Sequence, residues 1–216
     1  MSIDYAAIIQ QETEPRTLTL LPEITLYLAE QVTPLWTRLQ TLHGDPDYPP
    51  PFWAFAWVGG QALARYLLDH PAHVNGLRVL DFASGSGLGA IAAVKAGAGK
   101  VWTCDIDPFA QIVCQLNAAA NAVQLAEWGA ADFSKPPKDI DLIIAGDICY
   151  EHLMAHRSLK WLRLCAEAGI KVLLADPGRA YAPKDGVEEL GRLIVPTSPE
   201  LEETPTREVV IWRLVS

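Results

Sequence analysis

Four short apolar runs, each ending in aspartate, constrain this chain more than any other feature: RVLD (78–81), KVWTCD (100–105), DLIIAGD (141–147) and KVLLAD (171–176). A nearly continuous apolar strand is buried on both faces. The stretches between the runs, Leu88 to Ala96, Pro108 to Ala122 and Glu151 to Ala168, read as helices, the second opened by a proline near its first position. A further short strand is predicted near Leu125 to Gly129. Strands alternating with helices give a parallel sheet covered on both sides. The tail breaks this rhythm, because LGRLIVP (190–196) and EVVIWRL (208–214) are joined by a polar loop with no helix and should pair antiparallel. The predicted fold is therefore α/β and Rossmann-like: a seven-stranded, mostly parallel sheet with a terminal antiparallel strand.

At 216 residues the chain suits one domain of ordinary size. Residues 1–50 read as an N-terminal extension packing on the core, with a helical or mixed segment from Ile24 to Leu42 and a stop at His43-Gly44-Asp45-Pro46. The run Pro49-Pro50-Pro51 forces an extended backbone. The boundary is placed there, and residues 51–216 form the main domain. Within it, Gly59 to His70 is predicted as a helix over the first strand, ended by Pro71.

A formal net charge of −9 with no basic run argues against DNA or RNA as partner and favours a cationic or neutral one. The four cysteines lack a CxxC pair and read as reduced core thiols. No stretch is apolar over a membrane-spanning length, and MSIDYAAIIQQETEPR has neither a signal-peptide core nor a transit-peptide bias. The expectation is a cytoplasmic monomer.

The chemistry concentrates in VLDFASGSGLGAIAAV (79–94), where a strand runs through Ser84, Gly85 and Gly87 into a helix. Glycines there let the backbone lie against a ligand. Such a loop also satisfies the loose dinucleotide fingerprint. Asp81, however, puts a carboxylate where a pyrophosphate would gain nothing from it, whereas S-adenosylmethionine carries a cationic amino acid and a sulfonium and no phosphate. Asp105, about twenty residues on, has the spacing to accept both ribose hydroxyls. Its neighbour Ile106 joins the same contact set, and Asp107 reads as a helix cap before Pro108. Asp132 and Phe133 follow the third strand where an adenine would lie. The expected cofactor is S-adenosylmethionine, with a nicotinamide-dependent oxidoreductase and a cofactor-binding pseudo-enzyme as the competing classes.

After the fourth strand comes Gly146-Asp147-Ile148-Cys149-Tyr150. In motif order, with Asp-x-x-Tyr at this point, the chain resembles the seven-strand protein lysine methyltransferases. It is most similar to the electron transfer flavoprotein β-subunit lysine methyltransferases, through Pro22-Glu23-Ile24, Phe52-Trp53-x-x-x-Trp57 with Gly59-Gly60, and Ala175-Asp176-Pro177-Gly178-Arg179. The resemblance implies methyl transfer to lysine on that β-subunit or on another protein such as a ribosomal one. Other protein or small-molecule amines are the alternative. Prolines that would stack a flipped base after the fourth strand are absent. Asp147 and Tyr150 are the candidate catalytic pair, lining the acceptor channel, although Asp147 also suits the methionine end of the cofactor. Trp57 completes the wall and is grouped with the cofactor contacts. His152 and His156 have metal-ligand spacing but no third ligand, so no metal is expected. Arg179 is open between substrate and a nearby acid.

Overall fold

The computed structural model describes residues 4–215; the ends of the two segments drawn above, residues 1–3 and Ser216, lie outside the described residues. The elements run α1 (Tyr5–Glu12), β1 (Glu14–Leu18), β2 (Leu21–Leu28), α2 (Val32–His43), α3 (Val58–Asp69), β3 (Arg78–Phe82), α4 (Leu88–Lys95), β4 (Lys100–Cys104), α5 (Pro108–Ala120), β5 (Ala126–Glu127), β6 (Leu142–Gly146), α6 (His152–Glu167), β7 (Lys171–Asp176), β8 (Val187–Pro196) and β9 (Thr206–Leu214). The main sheet has the order β5-β4-β3-β6-β7-β9-β8. Strands β3 to β7 are parallel, and β9 inserts antiparallel to both β7 and β8. This is the predicted mixed seven-stranded sheet.

Side-chain alternation explains how both faces are filled. Leu142, Ile144, Leu173 and Ala175 pack on the face shared with α3, while Ile143, Ala145, Val172 and Leu174 pack with Trp161 and Leu162 of α6. The chain leaves β3 for β4 on one side and returns to β6 on the other, so a crevice opens beyond the strand ends at this reversal. Register levels the ends: Phe82 pairs with Cys104 and with Ala145, and Gly146 pairs with Ala175. The residues just past β4 and β6 therefore meet at one edge.

The N-terminal region differs from expectation. Ile24 to Leu28 is strand, not helix, because Leu21, Ile24, Leu26 and Leu28 bury one face of an antiparallel hairpin with β1. Helix α2 starts only at Val32 and stops at Gly44, whose φ of 62° closes it as the sequence predicts. Two asparagines of α5 fasten the hairpin. Asn117 Oδ1 accepts from Tyr27 N–H at 2.7 Å while its Nδ2 donates to Ser86 O at 2.8 Å, and Asn121 brackets Thr25. The hairpin is thus tied to the glycine loop. Helix α3 also departs from expectation. It lies beside α4 over β6, β7 and β9 rather than over the first strand of the sheet.

Candidate active site

The loop after β3 turns through three residues of positive φ, Ala83 (56°), Gly85 (51°) and Gly87 (78°). Ser84 braces it: the hydroxyl donates to Asp81 O and accepts from Cys104 N–H, both at 2.8 Å. Asp105 stands immediately beyond β4 and faces the crevice. Its Oδ2 accepts from Gly85 N–H at 2.9 Å and its Oδ1 from Asp107 N–H at 3.0 Å. Each oxygen keeps a lone pair for a ligand hydroxyl. Burial raises its pKa, opposed by these N–H groups. Asp107 caps α5 through Phe109 N–H at 2.8 Å.

Asp147 stands one residue past β6 in left-handed backbone, with φ 56°, an uncommon conformation for a residue with a side chain. Its Oδ2 accepts from Gly60 N–H in the first turn of α3 at 2.8 Å. Trp57, the N-cap of that helix, offers no side-chain acceptor, so Asp147 serves as the cap from a distant strand. The approach needs glycine. A Cβ on Gly59 would lie 2.6 Å from Asp147 Oδ2, and one on Gly146 would lie 2.7 Å from Gly60 N. Burial pushes the Asp147 carboxyl up to about 7, against the pull of Gly60 N–H and Arg179. Its Oδ1 is buried without a hydrogen-bond partner among the described residues, with Arg179 Nη2 3.7 Å away.

Aromatic rings complete the wall. Phe52 lies 5.2 Å from Tyr150 and 5.7 Å from Trp57 between centroids, and Trp57 Nε1 donates to Phe52 O at 2.9 Å. Trp53 stacks on Phe109 behind them, 4.9 Å apart. Together with the Tyr48-Pro49-Pro50 strap and Met154 these residues enclose a cavity of about 480 Å³, within the range of small-molecule sites. Arg179 is the single cation among the described residues lining it.

Of the residues picked from sequence, Trp57, Gly85, Asp105, Ile106, Asp147 and Tyr150 converge on this cavity. Asp81, Ser84, Gly87, Asp132 and Phe133 do not line it. Asp81 lies within β3, so the pleat turns its side chain onto α4, where Oδ2 accepts from Ala90 N–H at 2.8 Å. That bond braces the glycine loop against the first turn of α4. Ser84 and Gly87 stand behind the loop, the latter packed against Cys114. Asp132 is exposed and bonds Ser134 and Lys135. Phe133 packs between Phe82 and Trp161 on the α6 side. His152 and His156 hold their rings 6.4 Å apart, with no third ligand-type side chain grouped with them among the described residues. Sequence reasoning missed Tyr48 and Met154, which lie in a loop and on a helix without any motif. It also missed Glu202, which bonds Arg179.

A sheet with this strand order and antiparallel end, carrying a carboxylate past its second parallel strand beside a glycine loop, defines a class I S-adenosylmethionine-dependent methyltransferase. The fold is shared with a Pyrococcus abyssi tRNA (uracil-54, C5)-methyltransferase solved with S-adenosyl-L-homocysteine (TM-score 0.58, 18% identity, 94% of this chain and 44% of that one). It is also shared with the magnesium protoporphyrin IX methyltransferase of Synechocystis (TM-score 0.51, 16% identity, 73% and 82%). The family described as "Ribosomal protein L11 methyltransferase (PrmA)" matches residues 62–155. The electron transfer flavoprotein beta subunit lysine methyltransferase of Danio rerio is 35% identical over 98% of this chain and 81% of its own length, and that of Xenopus laevis 39% over 81% and 70%. The chain belongs to the electron transfer flavoprotein β-subunit lysine methyltransferase family.

Proposed function

We propose that this chain transfers methyl groups from S-adenosylmethionine to lysine side chains of the β-subunit of electron transfer flavoprotein. The observation that carries the reading is the reach of the similarity. Relatives bearing that name match from 74% to 98% of this chain, whereas the ribosomal L11 match stops short of both ends at residues 62–155, the stretch that carries the glycine loop, Asp105, Asp147 and Tyr150.

When bound, S-adenosylmethionine supplies an electrophilic methyl group on a sulfonium. Asp105 would accept ribose hydroxyls, and Ile106 and Trp57 line the same cavity. A lysine amine must shed its proton before it attacks, and its ordinary pKa is about 10.4. The apolar cradle of Phe52, Trp57 and Tyr150 disfavours the charged form, and the unpartnered Oδ1 of Asp147 accepts from the incoming ammonium and orients it. Positioning does most of the remaining work. In this reading the protein acts as a monomer in the cytoplasm, where its four buried thiols stay reduced.

The test incubates the protein with labelled S-adenosylmethionine and purified β-subunit, alongside the β-subunit with its lysines replaced by arginine and a ribosomal protein fraction. Label is expected on the wild-type β-subunit alone. Equal labelling of the Lys→Arg subunit would refute lysine as acceptor, because arginine stays protonated.

A further inference from the structure

Arg179 stands between two buried carboxylates and bonds only one of them. Its Nη2 donates to Glu202 Oε1 at 2.8 Å, while Asp147 Oδ1 lies 3.7 Å away, beyond hydrogen-bond reach. Glu202 belongs to the loop between β8 and β9, where its N–H donates to Ser198 O at 3.1 Å, and its other oxygen lies 3.7 Å from Arg207 Nε. Its side chain is only 9% exposed. The Arg179 backbone is fixed independently, with its N–H donating to Asp176 Oδ1 at 2.7 Å across the Pro177-Gly178 turn. What Glu202 controls is therefore where the guanidinium end points. Arg179 is also the one cation lining the cavity among the described residues. Left without a counter-charge, it would both fill Asp147 Oδ1 and repel an approaching ammonium.

We propose that Glu202 is a positioning residue that holds Arg179 off Asp147, keeping Asp147 Oδ1 free for the ammonium of the substrate. The inference rests on the reading of Asp147 as the acceptor-side carboxylate. The arrangement asks for two acids and one arginine: Glu202 neutralises the arginine, and Asp147 keeps its own charge for the substrate. The groups facing Asp147 are Asp176 at the end of β7, Arg179 in the turn after it, and the N–H groups of Gly59 and Gly60 from α3. Of these, Arg179 is the one that Glu202 touches.

The primary experiment needs no substrate. Carboxyl carbon NMR follows the titration of Asp147, assigned through Asp147→Asn, in the full chain and in Glu202→Gln, Arg179→Met and the double variant. Glu202→Gln keeps an acceptor but removes the charge that competes with Asp147 for the guanidinium, so Arg179 turns toward Asp147 and the Asp147 midpoint should fall by about one pH unit or more, the effect of a closely approaching opposite charge. On the Arg179→Met background the same substitution should move it by less than half as much. Equal shifts on both backgrounds, or an unmoved midpoint in Glu202→Gln, would overturn the proposal and leave Glu202 as a loop anchor. Kinetics supply the second readout. Glu202→Gln should raise KM for the β-subunit roughly tenfold, a charge effect of about one pKa unit, with S-adenosylhomocysteine affinity within about twofold of wild type, and Glu202→Asp should recover most of the loss. Loss of cofactor affinity in parallel with KM would count against the proposal. Absence of label on the β-subunit with wild-type enzyme would sink the substrate assignment, while the titration would still decide the role of Glu202.

Discussion

Asp147 and Gly60 are 87 residues apart in sequence and joined by a 2.8 Å hydrogen bond from the Gly60 N–H to the Asp147 carboxylate. The bond ties the end of β6 to the first turn of α3. It occupies one carboxylate oxygen with a structural task and leaves the other toward the cavity. Helix α3 is consequently part of the site, and the glycine pair at its start is what allows the contact.

That pair gives the first prediction. A Cβ on Gly59 would meet the backbone oxygen of Ala175 and the Asp147 carboxylate at 2.6 Å each, whereas one on Gly60 meets nothing within 4 Å. Gly59→Ala should destabilise the protein by about 1–3 kcal/mol through overpacking, visible as a fall of several degrees in Tm. Gly60→Ala should be neutral or stabilising by up to about 1 kcal/mol, since alanine favours helix over glycine. Thermal denaturation of the two variants would overturn this account of the α3 and β6 junction if their effects had the same sign.

The second concerns Asp105, whose two oxygens are already aligned by Gly85 and Asp107 N–H groups. Asp105→Ala should weaken S-adenosylhomocysteine binding by about 1.5–3 kcal/mol, the range for hydrogen bonds to charged groups. Calorimetry reads this as a loss of roughly 10- to 150-fold. A folded variant with unchanged affinity would remove Asp105 from the cofactor site.

How far the site was legible follows from the pleat and from strand length. Asp105 and Asp147 stand one residue beyond Cys104 and Gly146, the last residues of their strands, and so point past the sheet edge. Asp81 looks equivalent in sequence, but β3 continues to Phe82, and alternation then turns the carboxylate onto α4. One residue of strand length decides between facing the cavity and bracing the loop, and no local pattern sets that length. The hairpin β1 and β2 was hidden because Ile24 to Leu42 mixes a two-residue period with a helical one. Glu202 could not be found at all, since nothing in the chain near it points to the Arg179 turn. The mixed seven-stranded sheet was legible because four buried runs and a helix-free tail permit few other architectures.

A third prediction uses Asp81, where burial pushes the carboxyl up to about 8 against the Ala90 N–H bond and with a further push from Asp105. The folded state keeps a proton that the unfolded chain releases near 3.9. The contribution to stability is therefore fully present below about pH 4 and is lost as pH rises toward 8. The cofactor-free protein should unfold at lower urea concentration at pH 8 than at pH 5.5. Asp81→Asn keeps an acceptor for Ala90 N–H and carries no titrating proton, so it should shrink that stability difference by on the order of 3 kcal/mol. Asp107 and Asp147, raised to about 6 and about 7, titrate in the same window and leave a residual slope. The ion pair of Asp141 with Arg78 acts in the opposite direction only at lower pH, because it holds that carboxyl near 2. A wild-type slope in Asp81→Asn would place the proton elsewhere.

The last prediction separates acceptor chemistry from cofactor binding. Asp147→Asn preserves volume and an oxygen able to accept from Gly60 N–H, so α3 should stay in place and the fold should hold. What disappears is the negative charge that meets the ammonium before deprotonation. Turnover on the β-subunit should fall much more than S-adenosylhomocysteine affinity does, which marks an interaction made with the acceptor rather than with the cofactor. The pH profile sharpens the point. Because the Asp147 carboxyl sits near 7 when buried, wild-type activity should rise as pH passes through that value and the group ionises, and the Asp147→Asn profile should lack this limb. Tyr150→Phe tests the neighbouring ring, whose centroid lies 5.2 Å from Phe52. Retained activity there would assign Tyr150 to apolar packing of the lysine chain, and lost activity to a bond from its hydroxyl. If Asp147→Asn reduced cofactor affinity and activity in equal proportion, the carboxylate would belong to the methionine end of the cofactor, and acceptor binding would pass to Tyr150 and the Arg179 turn.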